Sequence, residues 1–482
     1  MGSTAPDLKR PLSSPAGPGS TAGRLLVMSC VGAFLGLSLL KFGNPAIMEK
    51  WVSPPTDIFE FVLGNPWPIS WAYILLTGLV LLALRFSRSK PPSQLSIVLL
   101  PGAWLLWQLI ATAGTIQPEL SRAVLVHFLA CVACFYLGLF GSNSERPLSS
   151  MLPGLLCGFL IVLAVGWEQQ FGGLEQTRRY FFLYLYPKMK EVSPEYLKKL
   201  SSPRIFSTLF YPNALAGAIL LLLPATLQFV WLAQKRFTAS ARAFLLAAVS
   251  TAAFGCLYWS GSKGGWLLML LLLVLWLLHL PFNKNYKHGL IAGLLVLGLL
   301  GFFWKYSSFF QKGATSVSAR FDYWSASLQS ARTHPLLGTG PGTFSITYSK
   351  LKRPESEMAR LAHNDYLQQL SDSGLPGFLL YSAFIISVLT VSYPRNTFRP
   401  PPTGIPTRQI NGHWGEVAAI LSTEGSLWFA VWLGTLGWAL QSLMEFGLYL
   451  PALAWPAFAF MGCLLTHRFT RGSAVLNLTS PG

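Results

Sequence analysis

The chain has 482 residues, of which 52% are hydrophobic, 14% aromatic and only 11% charged. A soluble domain carries about 25% charged residues, so most of this protein's surface meets lipid rather than water, and a soluble globular enzyme is excluded. The net charge of +18 is scattered between apolar segments instead of gathered on one domain. That pattern argues against nucleic acid and for topology signals together with an anionic, membrane-bound ligand.

In chain order, residues 1–22 are rich in Ser, Pro and Gly and lack an apolar run, so a disordered cytoplasmic tail is expected rather than a signal peptide. A polytopic domain follows over 23–466. Twelve apolar segments are long enough for transmembrane helices: 25–41, 70–86, 95–114, 122–141, 150–169, 212–234, 242–260, 264–282, 289–305, 375–394, 416–441 and 445–466. A cytoplasmic tail, 467–482, closes the chain. The expected fold class is therefore an all-α integral membrane protein of about twelve spans. Lys and Arg in the short connections alternate as the positive-inside rule requires, with both termini inside. Cys131-x-x-Cys134 lies within an apolar run without a His or a second Cys pair, so packing is the expected role.

Two long outside segments break the charge pattern: 171–211 holds seven basic residues and 305–374 holds eight. Either long loops translocate regardless of charge, or an anionic ligand favours them there. The second loop reads as a helical cap between spans nine and ten. Val317, Phe321, Trp324 and Leu328 recur at helical spacing, which predicts an amphipathic surface helix over 316–332. Leu337-Gly-Thr-Gly-Pro-Gly-Thr-Phe344 reads as a glycine turn, and a second helix is expected over 355–373, stopping at Gly374.

The chemistry-bearing residues are few. Arg204 stands where the first long loop enters span six, and its guanidinium either grips phosphate or snorkels at the interface. Lys263 lies in the turn Ser260-Gly-Ser-Lys-Gly-Gly265 between two spans, as a ligand contact or an ordinary loop lysine. Arg320 either pairs with Asp322 or meets lipid headgroups. His363, expected on the second cap helix with Arg360 and Leu367, can accept a proton near neutral pH. No metal-ligand spacing appears. Gly338-Thr-Gly-Pro-Gly342 has no following Lys-Ser or Lys-Thr and is no nucleotide loop.

Taken together, these residues resemble the O-antigen ligase and polymerase superfamily. The resemblance rests on Arg320-x-x-Tyr323-Trp324, His334-Pro-Leu-Leu-Gly-Thr-Gly-Pro-Gly-Thr-Phe344, His363-Asn-Asp-Tyr-Leu-Gln368 and Gly374-Leu-Pro-Gly-Phe378. Arg204 with Pro212-Asn213 matches its first arginine motif. Lys263 stands where an arginine is usual, and Met444-Glu445-Phe446 where an aspartate is usual. The likeness covers about 200–466; the first 200 residues match in hydropathy alone.

The resemblance implies a bacterial inner-membrane transferase that moves a glycan from undecaprenyl diphosphate to an acceptor hydroxyl at the periplasmic face, with inversion and without metal or cofactor. The acceptor would be lipid A core (a ligase, the favoured reading), a growing polysaccharide (a polymerase) or a protein hydroxyl. It further implies that Arg204, Lys263 and Arg320 hold the diphosphate, that His363 acts on the acceptor, and that Asn213, Tyr323, Asn364 and Asp365 support them. A bicarbonate or other anion transporter is the alternative class, but it would place ionisable groups at the midplane, and here they gather at the outside ends of the spans.

Overall fold

Over the described residues each of the twelve apolar segments falls on a helix in the computed structural model, which describes residues 18–64, 66–86, 95–141, 147–180, 201–280, 282–311, 315–354, 356–394 and 423–479 with a few isolated positions besides. The corresponding helices are α1 (Pro18–Lys41), α3 (Ile69–Phe86), α4 (Leu95–Thr112), α5 (Pro118–Gly141), α6 (Pro147–Glu168), α8 (Pro212–Leu232), α9 (Ala239–Ser260), α10 (Lys263–His279), α11 (Lys284–Gln311), α14 (Asp365–Val391), α15 (Glu424–Gln441) and α16 (Pro451–Thr479). Short helices α2 (Ile58–Leu63), α7 (Leu174–Tyr180), α12 (Thr315–Thr333) and α13 (Phe344–Leu351) decorate them. No strand occurs among the described residues.

Nine helices, among the described residues, are long and apolar enough to cross a membrane, and α10 is apolar but only 17 residues long. The helix α15, which opens on Glu424, is enclosed by its neighbours along almost its whole length. A helix shielded from lipid by other helices need not be apolar on every face. The expected tails are helical in part: α1 begins at Pro18 and α16 runs on to Thr479. Residues 1–17 lie outside the described residues, as do Lys188, Lys190, Lys198 and Lys199 of the first long loop.

Small residues let the core helices approach backbone to backbone. A Cβ on Gly32 of α1 would stand 2.0 Å from the Met151 carbonyl of α6, and one on Gly158 would stand 2.4 Å from that of Gly36. Both helices thus carry a glycine every fourth residue at their shared face, the arrangement that substitutes for a hydrophobic driving force in lipid. Gly138 of α5 meets Ala459 of α16 in the same way, and Gly434 of α15 meets Leu221 of α8. By contrast α11 turns much of its surface outward, with Leu297, Leu300, Phe303 and Trp304 exposed.

The cap differs from expectation in one respect that matters. Helix α12 forms as read, and Val317, Phe321 and Leu328 turn away from the protein while Tyr323, Ala326, Ser327 and Ser330 pack inward. The second cap helix, expected over 355–373, starts only at Asp365. Instead a short helix, α13, follows the glycine turn, an irregular segment runs to Asn364, and α14 begins at Asp365 and continues into the span. Asn364 is the N-cap; its side chain accepts from Leu367 N at 3.0 Å, the role that short polar side chains perform best. His363 precedes the cap with φ +49°, so it lies off the helix and shares no helical face with Arg360 and Leu367. The predicted break at Gly374 is present inside α14, with φ +70° and ψ −174°.

Candidate functional site

The site gathers at one end of the bundle, where α8, α10, α14 and α16 begin and α9 and α15 end. The segment leading into α8 is pinned from below. Gln169 accepts from Phe206 N at 3.0 Å and Ser207 N at 2.7 Å and donates to Ser207 O at 3.1 Å. Thr208 Oγ1 donates to Leu39 O at 2.6 Å. With its chain fixed so, Arg204 reaches across to the end of α9, donating from Nε to Ser260 O at 2.6 Å and from Nη2 to Asn213 Oδ1 at 2.8 Å. Gly261, at φ +61°, lies directly beneath the guanidinium: a Cβ there would stand 3.2 Å from Nε.

Asn213, in the first turn of α8, passes the contact on, with Nδ2 donating to Glu445 Oε1 at 2.6 Å. Glu445 sits in the turn between α15 and α16 and is the hub of the site. The same Oε1 forms a salt bridge with Arg320 Nη2, and Oε2 lies 3.1 Å from His363 Nδ1. Burial pushes the Glu445 carboxyl toward its neutral form, but the hydrogen bond and charge of His363 with the charges of Arg320 and Arg204 together outweigh it, so its pKa lies below the usual carboxylate range. An ionised carboxylate only accepts hydrogen bonds, so His363 Nδ1 donates to Glu445. No residue among those described bonds Nε2.

Two aromatic rings fix the imidazole plane. Tyr323 stacks at 5.8 Å with an interplanar angle of 27°, and Phe446 meets the ring edge-on at 4.8 Å. Burial pushes the Tyr323 phenol up to about 12, so it stays neutral. Lys263, the first residue of α10, follows the Ser262 N-cap and lies against Tyr306 and Phe309, within the electrostatic reach of Arg204 and Arg320.

The structure thus brings Arg204, Asn213, Lys263, Arg320, Tyr323 and His363 together. Asn364 and Asp365 serve the backbone: Asn364 caps α14, and Asp365 Oδ2 accepts from Leu448 N at 2.8 Å, tying the start of α14 to the turn that carries Glu445. Arg320 pairs with Glu445 and not with Asp322, which instead accepts from Ser356 Oγ at 2.9 Å. In the sequence Glu445 stands out only through the motif where an aspartate is usual and as a lone acid beside apolar runs, a setting that marks a paired or functional charge. Cys131 and Cys134 are buried free thiols in α5.

Residues 246–382 match the model of a family described as O-antigen ligase. That match supports the likeness to the O-antigen ligase and polymerase superfamily. The matched segment contains Lys263, Arg320, Tyr323, His363, Asn364 and Asp365, while Arg204, Asn213 and Glu445 lie outside it. No curated protein matches the chain.

Proposed function

We propose that this protein transfers a glycan from undecaprenyl diphosphate to an acceptor hydroxyl at the periplasmic face of a bacterial inner membrane, as an O-antigen ligase. The observation that carries the reading is the relay Arg204–Asn213–Glu445–His363, with Arg320 on the same carboxylate. It joins cations suited to a leaving diphosphate with an imidazole suited to accept a proton. Arg204, Lys263 and Arg320 outnumber the single carboxylate, so the site retains positive charge for an anion.

In the reaction the acceptor oxygen attacks the anomeric carbon in line and a new C–O bond forms. The bond from that carbon to the phosphate oxygen breaks, with inversion, and undecaprenyl diphosphate leaves. The acceptor proton passes to His363 Nε2, and Glu445 balances the imidazolium that results. The cations stabilise the charge that grows on the departing diphosphate.

The test is transfer in proteoliposomes from a lipid-linked glycan to lipid A core. Arg204→Ala and His363→Ala should each lose about a hundredfold or more in rate while inserting normally. Wild-type transfer by both would refute the reading, and elongation of the donor glycan in place of transfer to core would make the protein a polymerase.

A further inference from the structure

Beside Tyr306 stands a second cation that the preceding site does not use. Lys305, near the end of α11, holds its ammonium 2.9 Å from the ring centroid of Tyr258 and 5.9 Å from that of Tyr306. Lys263 holds its own 5.1 Å from Tyr306 and 3.9 Å from the ring of Phe309. One tyrosine therefore lies against both ammonium groups, and Arg204 is within electrostatic reach of that same tyrosine.

Among the described residues, neither lysine has a carboxylate or carbonyl partner. The contrast with Lys41 is informative, because its ammonium donates to Val62 O and Gly64 O at 2.7 Å each. An aromatic face attracts a cation without neutralising it and occupies few of its three N–H donors. Tyr258, Tyr306 and Phe309 thus hold two ammonium groups in position with their charge and most of their donors unspent. Three helix ends contribute to this arrangement, and Trp304 and Phe303, next to Lys305, are exposed.

We propose that Lys263 and Lys305 form a phosphate subsite of their own, which grips the lipid-side phosphate of a polyprenyl diphosphate. This inference rests on the glycan-transfer reading. The sugar must lie by His363 and the lipid must leave toward the bilayer, so the sugar-side phosphate falls to Arg204 and Arg320 and the lipid-side phosphate to the lysine pair beside the exposed surface of α11. The pair gives the protein its preference for a diphosphate over a monophosphate.

Binding of undecaprenyl diphosphate and of undecaprenyl monophosphate, each without sugar, to the full chain in nanodiscs tests it. Wild type should prefer the diphosphate by about tenfold or more, as expected for added charge-assisted contacts. Lys305→Gln should lose most of that preference with little change toward the monophosphate, Lys305→Arg should keep it, and Arg204→Ala should weaken both ligands. Undiminished preference in a folded Lys305→Gln variant, with Arg204→Ala impaired, overturns the lysine subsite alone. Absence of polyprenyl diphosphate binding to wild type overturns the subsite and the transfer reading together.

Discussion

Glu445→Gln removes one charge from the hub and preserves its shape. The carboxylate takes contacts from Arg320, His363 and Asn213 and is 8% exposed. Hydrogen bonds to charged groups contribute about 1.5–3 kcal/mol, and removing one partner of a buried ion pair costs about 3–5 kcal/mol. The Arg320 side chain is 21% exposed, so water partly rescues the stranded guanidinium, and a loss near the lower bounds, about 2–4 kcal/mol, is expected. Were the same loss expressed in the transition state, where His363 gains its proton, the rate would fall by roughly thirty- to nearly a thousandfold. Transfer kinetics in proteoliposomes and thermal unfolding in detergent read the two effects separately. A variant with wild-type melting temperature and wild-type turnover would refute the argument that this carboxylate organises the site.

Arg204→Lys keeps the charge but cannot span Ser260 and Asn213 together, so kcat/KM should drop by about tenfold or more in the transfer assay. Because the folded pKa of Glu445 is depressed, its contribution to stability is present above the unfolded carboxylate pKa and is lost as pH falls through the folded one. The difference in melting temperature between wild type and Glu445→Gln should therefore shrink in acid, as pH falls below the ordinary carboxylate range. Asn364→Ala should cost about 1 kcal/mol by removing the α14 cap, with Asn364→Asp close to neutral, as urea titration would report. Gly374→Ala would set a Cβ 2.0 Å from Leu336 O at a positive φ; the strain of that backbone alone is about 1–3 kcal/mol, and a sharp fall in monodisperse protein on size exclusion is expected.

The helices were legible because lipid forces it: a spanning segment must satisfy its own backbone, and nearly uniform apolar runs announce themselves. The cap was less so. Its first helix carries a strong period through Val317, Phe321, Trp324 and Leu328, whereas the stretch before Asp365 has a helix-compatible composition that predicts a helix the structure does not form there. What decides there is local, namely the Asn364 side chain taking an amide of the next turn. That shift of the helix start by about ten residues moves His363 from a helical face to a left-handed position against Glu445. Arg204, Lys263, Arg320 and His363 could be singled out individually from charge and setting. Their common partner could not, because Arg204 and Glu445 are joined through Asn213 across distant parts of the chain, and no spacing rule records such a contact.

The claim that these residues act as one unit through a single carboxylate is tested most directly by a double-mutant cycle on turnover, combining Glu445→Gln with His363→Ala. The account predicts that the loss in the double variant falls well short of the product of the two single losses, since the carboxylate acts on the chemistry in part through the imidazole. Independent, multiplying losses in the double variant would contradict it.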